Sequence, residues 1–316
     1  MENAKGYKAF EPGMICRGKQ YTENTDYEES GGEICGKGMM HYCVNPFDTL
    51  NFYDLVDKNG TFSDFAEVEA LDPPVVGSGG KFATKKLHIG AKLNFAGFVK
   101  ACIDYTKEQT INNMPKSDIT TGDSAQIGSS GNSAQIGSSG YSAQIGSSGN
   151  YAQIGSSGNY AQIGSSGNYA QIGSSGYSAQ IGSSGNSAQI GSSGNSAQIG
   201  SSGYSAQIGS SGYSAKIGSS GYSAQIGSSG YSAQIGSSGN YAKINSTGED
   251  SVICCAGSGS VVKAKAGSWI TLAEWEYSDE KGRFAPRCVK TEYVDGEKIK
   301  ADTWYRLQNG EFVEVE

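Results

Sequence analysis

Arg17 is the only arginine of the first 119 residues, and Glu67-Val68-Glu69 sets two carboxylates two residues apart. On a strand both would point to one face. Carboxylates paired in this way are the material of general acid–base chemistry. Alternating glutamates on a half-exposed strand equally make a solvated face. A second set, Cys35, His41 and Cys43 with Cys16 nearby, offers sulfur and imidazole to zinc. The spacing C-x5-H-x-C matches no established zinc pattern and no C-x-x-C occurs, so the competing reading is a small core of cysteine and aromatic residues. His88 reads as a structural residue on a strand. No glycine-rich phosphate loop, Ser–His–Asp set or Cys–His pair at a recognisable motif is present. These features predict a non-enzymatic protein with no cofactor and no metal.

The elements that would position such residues are dominated by a repeat. From Ser124 to Ile244 the chain repeats A-Q-I-G-S-S-G-[NYD]-[SY], and isoleucine recurs every ninth residue from Ile127 to Ile244. Short fixed-period repetition marks a solenoid, because one unit cannot bury its own apolar face. Ala125 and Ile127, two apart, share a strand face, and Gln126 faces the other way. Gly-Ser-Ser-Gly then has the composition of a tight turn, its glycines free to take positive φ. The prediction is a mainly β fold, a parallel β-solenoid with two units, about 18 residues, per coil. With degenerate units through Ile253 and Val262 it would have eight coils and stand roughly 38 Å tall. Triangular coils, with three units to a turn, are the alternative, and a right-handed path is the default for parallel crossovers. A disordered Gly/Ser/Tyr/Gln tract is the rival reading; the strict register of Ala and Ile argues against it. So thin a core would profit from shelter, which points to a partner or to a second copy of the chain. Solenoid stability is close to a sum over neighbours, so deleting four internal units should shorten the rod without unfolding it.

Tyrosine is the varying feature. It lies two residues before the alanine at Tyr141, Tyr177, Tyr204, Tyr213, Tyr222 and Tyr231, and one before it at Tyr151, Tyr160, Tyr169 and Tyr241. No unit carries both, so each corner holds one ring. The rings either pack the corner or form an aromatic strip for sugars, bases or a protein surface. Charge is the other variable. Between Ser124 and Ala242 the only ionisable side chain besides tyrosine is Lys216, and the net charge of −7 sits on the two ends. A rod without cations does not bind DNA phosphates, and one without a regular acidic surface does not imitate DNA. A calcium-loaded nonapeptide roll needs an aspartate in every unit and is excluded in the same way. Ice-binding solenoids present a flat ladder of one short residue, usually threonine; the units contain none, and neither face is specialised.

The ends are predicted as an α+β domain over residues 1–119 and a β-rich cap over 263–316, flanking a repeat region over 120–262. Strands are expected at Tyr7–Phe10, around Cys16–Tyr21, at Phe65–Ala70 and at Lys85–Leu93. A helix is expected from Pro46 to Leu55, capped by Asn45, and a second over Asn94–Tyr105. In the cap, Trp269, Ile270 and Leu272 would cover the last coil, and Asp295-Gly296 and Asn309-Gly310 signal hairpins. Neither an apolar leader nor an apolar run long enough to span a bilayer is present, so the chain reads as neither exported by the general route nor membrane-spanning. Seven cysteines, an odd number, fit free thiols in a reducing cytoplasm.

Lys5-Gly6-Tyr7-Lys8-Ala9-Phe10, Cys16-Arg17-Gly18-Lys19-Gln20-Tyr21, and Gly38-Met39-Met40-His41-Tyr42-Cys43 with Asn45-Pro46 resemble an uncharacterised domain of phage and prophage proteins. In those proteins it often precedes A-x-I-G-x-x-G repeats. Gly267-Ser268-Trp269 and Asp302-Thr303-Trp304-Tyr305 resemble the ends of such proteins. The resemblance implies a mobile-element origin, action in the cytoplasm of a host bacterium, and a host protein complex, in particular one of anti-phage defence, as the partner to be inhibited. Arg17 with Glu67 and Glu69 is also similar to the layout of ADP-ribosyltransferases. That resemblance implies that the arginine steadies the dinucleotide and Glu69 polarises the ribose.

Overall fold

A computed structural model describes residues 4–32, 38–57, 61–107, 119–120 and 122–315. The chain divides into two compact units, residues 1–105 and 106–316. The boundary drawn from sequence at 119 therefore falls inside the second unit.

In the first unit the strands β1 (Ala4–Phe10), β4 (Thr25–Glu28), β5 (Met40–Cys43), β6 (Asp64–Ala70), β7 (Val75–Val76), β8 (Lys81–Thr84) and β9 (Lys86–Leu93) form one antiparallel sheet. Their order is β4-β9-β6-β1-β5-β8-β7. Alternation decides what each face holds. Phe10, Met40, Tyr42, Ala66, Val68, Leu87 and Ile89 build the core on one side, closed by Met14 and Tyr21. On the other side Phe65 stacks on Phe98 of the helix α1 (Phe95–Lys107), ring centroids 3.7 Å apart. The expected Cys16–Tyr21 strand is a small hairpin, β2 (Ile15–Cys16) and β3 (Lys19–Gln20), turned by Arg17 and Gly18, both at positive φ. Asn45 caps its helix as expected, accepting the Phe47 N–H at 3.0 Å. That helix is a 3₁₀ segment, Pro46–Asn51, and stops short of Leu55.

The second unit is the solenoid. The strands β11 (Gln126–Ser129) to β24 (Lys243–Ser246) are four residues long and recur every nine residues. Each pairs in parallel with the strand two units on, as in Ile145↔Ile163 and Ile154↔Ile172. Two sheets therefore face each other, with about 18 residues per turn and about eight turns. The triangular coil is excluded. Ala, Ile and the first Ser of each unit point inward, and the isoleucines of both sheets merge into one core.

The corners depart from the sequence reading. None of the glycines in the regular units takes positive φ. That conformation falls on the residue before alanine, Ser or Tyr from Ser124 to Tyr241, and then on Asp250 before Ser251, at φ 52–59°. The second glycine of each unit is needed for a different reason. A Cβ on Gly149 would sit well inside van der Waals contact of the Gly131 carbonyl oxygen, one coil below, and the same holds along both corners. Glycine here permits close stacking of coils rather than a left-handed turn. In the ten-stranded sheet the first glycine faces outward, and at Gly164, Gly182, Gly200, Gly218 and Gly236 an added Cβ meets nothing.

The rod passes into its cap without a break in either sheet. β25 (Val252–Cys255) and β26 (Val261–Lys263) keep the stacking, and β27 (Trp269–Ser278) then pairs in parallel with β25. The pairing Ile253↔Ile270 falls one short of the regular spacing, so this turn is tighter than the rest. Ile270 and Leu272 are buried as expected, whereas Trp269 points outward and is exposed. Antiparallel pairing then ends both sheets. β28 (Arg283–Tyr293) folds onto β27, and β29 (Trp304–Gln308) joins β26 and turns at Asn309-Gly310 into β30 (Glu311–Glu314). Asp295-Gly296 is not a hairpin but a turn between β28 and β29, where the Asp295 carboxylate accepts the N–H groups of Glu297 and Ile299.

Candidate functional site

The repeat positions its tyrosines through stacking. Positions two units apart in the chain share a corner, so the scattered rings become two ladders. Tyr151, Tyr169, Tyr204, Tyr222 and Tyr241 run along one edge, and Tyr141, Tyr160, Tyr177, Tyr213 and Tyr231 along the other. Tyr151 and Tyr169 stack at 5.1 Å with their planes within 6°, and Tyr204 and Tyr222 at 5.1 Å within 7°. Where the ring moves by one position the pair tilts, as in Tyr141–Tyr160 at 5.2 Å and 54°. Corner packing and surface display are therefore one arrangement. Tyr141, Tyr160 and Tyr177 on one edge, and Tyr151 with Tyr169 and Tyr204 with Tyr222 and Tyr241 on the other, lean on their neighbours, yet all ten rings stay 42–57% exposed. At the end of one ladder the Tyr231 hydroxyl donates to Glu249, and that carboxylate raises the tyrosine pKa.

Asparagine alternates with tyrosine for a physical reason. At the first corner position its side-chain oxygen accepts the backbone N–H one coil above. Asn150 Oδ1 takes the Asn168 N–H at 2.9 Å, and Asn168 Oδ1 takes that of Asn186 at 2.8 Å. A tyrosine there gives up this clip for a ring. Both ladders are broken at the same height, where Asn186-Ser187 and Asn195-Ser196 stand in consecutive units. Between the edges, the ten-stranded sheet presents the exposed Gln144, Gln162, Gln180, Gln198, Lys216 and Gln234 beside its bare outward glycines.

In the first unit the residues singled out by their chemistry do not converge. Tyr7 pairs with Glu67 and Lys5 with Glu69 on the β1–β6 ladder. The two glutamates alternate with the buried Ala66, Val68 and Ala70, so they lie on the face opposite that core. Arg17 sits at the tip of the β2–β3 hairpin, which closes the core face. The ADP-ribosyltransferase layout, with arginine and glutamate at one site, is not what this sheet builds. His41 and Cys43 share a face of β5, while Cys35 lies outside the described residues. Among the described residues no group of three or more His, Cys, Asp or Glu gathers. Burial pushes the Cys43 thiol up to about 12. His88 Nδ1 is 2.6 Å from the Asp26 carboxylate on the neighbouring strand, a cross-strand pair in keeping with a structural role.

What sequence reasoning passed over is Lys8. It lies on β1 on the same face as Gly6 and Phe10 and is only 4% exposed, at the floor of a cavity roofed by the β2–β3 hairpin. A lysine among alternating apolar positions was the available signal.

The fold and its surfaces define an elongated β-solenoid with tyrosine edges, joined to an antiparallel β-rich unit. Residues 4–101, nearly the whole of that first unit, match a family described as Domain of unknown function (DUF7666). No curated protein and no solved structure matches the chain. No helix among the described residues is long and apolar enough to cross a membrane.

Proposed function

We propose that the protein is a non-enzymatic interaction protein whose solenoid holds a protein partner along its tyrosine edges. The observation that carries this reading is the pair of half-exposed ladders on a rod almost free of charge. Tyrosine supplies large, stiff, amphipathic contact area at small entropic cost, which is why it is enriched in protein interfaces. Strands β11 to β24 carry only two cations, Lys216 and Lys243, to set against nucleic-acid phosphates. The shared interruption at Asn186 and Asn195 favours a partner with definite features over a uniform polymer or a crystal face. The resemblance of Lys5–Phe10, Cys16–Tyr21 and Gly38–Cys43 with Asn45-Pro46 to phage and prophage proteins makes a host complex, above all one of anti-phage defence, the first partner to test, in the cytoplasm and with inhibition as the outcome.

The test uses the full chain as tagged bait in bacterial lysate, beside a variant in which the ten tyrosines become Ser or Asn. The repeat itself uses both residues at these positions, so the variant keeps the rod. A stoichiometric host complex held by the natural chain and lost from the variant is expected. Equal capture by both, or none by the natural chain, would contradict the proposal.

A further inference from the structure

The cavity above Lys8 has a volume of about 390 Å³, within the range of small-molecule sites. Its floor is unusual. Lys8 Nζ donates to the His41 carbonyl at 2.9 Å and to Cys16 Sγ at 3.6 Å, and lies 5.3 Å from the Phe10 ring centre and 5.7 Å from that of Tyr21. Among the described residues no carboxylate pairs with it. Burial lowers its pKa, with Cys16 the main opposing influence. A buried amine without a counter-anion is costly to keep charged and stays ready to accept a proton or an anion. Cys16 Sγ also accepts the Tyr53 hydroxyl at 3.1 Å, so two donors converge on one half-buried sulfur in the cavity wall. At the rim Arg17 is exposed and forms no ion pair among the described residues, whereas Lys19 is already matched by Glu29.

We propose that this cavity is a covalent ligand site for a small anion carrying an electrophilic carbon. Cys16 is the nucleophile, Lys8 takes its proton, Tyr53 holds the sulfur, and Arg17 receives the anionic group. In the reaction the thiol proton passes to Lys8 Nζ in its unprotonated form and the sulfur electron pair forms an S–C bond. The leaving group departs with its own bonding pair. The ammonium so formed then faces the bound anion. This site is independent of the rod's partner, since none of its residues lies in the solenoid.

The probes are iodoacetate and iodoacetamide, which share one leaving group and differ in charge. Site-resolved mass spectrometry of the full chain follows Cys16 against Cys254, an exposed cysteine of the rod. Cys16 is expected to react faster than Cys254, with an iodoacetate-to-iodoacetamide rate ratio about tenfold higher, although a chain of net charge −7 repels the anionic reagent elsewhere. Lys8→Met should slow both reagents about tenfold at Cys16. Arg17→Gln, at an exposed turn, should slow iodoacetate alone. Tyr53→Phe gives a second variant should Lys8→Met fail to fold. Reaction at Cys16 no faster than at Cys254, or rates unmoved by Tyr53→Phe and Arg17→Gln, would overturn the assignment.

Discussion

The two units solve the problem of a small core in opposite ways. The first buries large side chains once each, Phe10, Tyr42, Phe65 and Leu87 among them, in a sheet whose neighbours are far apart in sequence. It also admits a buried amine. The solenoid buries chiefly Ala, Ile and Ser, repeats them, and depends on how closely each coil lies on the last. Specific chemistry can therefore collect in the first unit, where every position is different. The rod can offer only what repetition allows, which is ladders.

That contrast can be broken most sharply at the two glycines of one repeat. Gly167→Ala drives a Cβ into the Gly149 carbonyl and should cost the rod more than about 3 kcal/mol, read as a fall in its unfolding transition. Gly164→Ala, three residues away and facing open space, should change stability by no more than about 0.5 kcal/mol. Equal losses from the two would mean that glycine serves the corner conformation and not the stacking. Ile172→Ala empties part of a fully buried site and should cost about 2–5 kcal/mol in denaturant unfolding.

In the first unit the sign reverses. Lys8→Met replaces a buried amine by an apolar chain of similar length, and the variant should be the more stable at neutral pH, by about 1 kcal/mol or more. The folded state lowers the Lys8 pKa below its ordinary 10.5, so the folded chain binds this proton less tightly than the unfolded one. The natural chain accordingly regains stability as pH rises from the folded value toward 10.5, and the gap to the variant should close over that window. Paired melts from neutral pH up to that ordinary value check it. Asn168→Ala removes one clip between coils and should cost about 1 kcal/mol by the same unfolding measurement.

Most of the rod was legible because its signals are local. Ala125, Gln126 and Ile127 alternate in the sequence as they do on the sheet, and the spacing of the rings implied one per corner. The function of the second glycine was not, because turn composition speaks for φ, and the carbonyl that excludes a Cβ lies two units back along the chain. The seamless cap was half legible. Asn309-Gly310 makes the tight turn its residues favour, whereas Asp295-Gly296 has the same signal but lies between β28 and β29, which belong to different sheets and do not pair. The lysine cavity was invisible for a stronger reason. Lys8, Cys16 and Tyr53 meet only once a hairpin and a 3₁₀ turn have closed over β1, and nothing near any one of them in sequence announces the other two.

The most direct measurement is amide hydrogen exchange on the full chain, resolved by peptide. Stacked coils predict slow exchange for the ladder amides of every unit, such as Gln162 donating to Ala143 and Gln180 to Ala161, fading only toward the ends of the rod. Exchange of the repeats as fast as in an unstructured Gly/Ser chain, beside a protected first unit, would contradict the stacked solenoid and the tyrosine edges built on it.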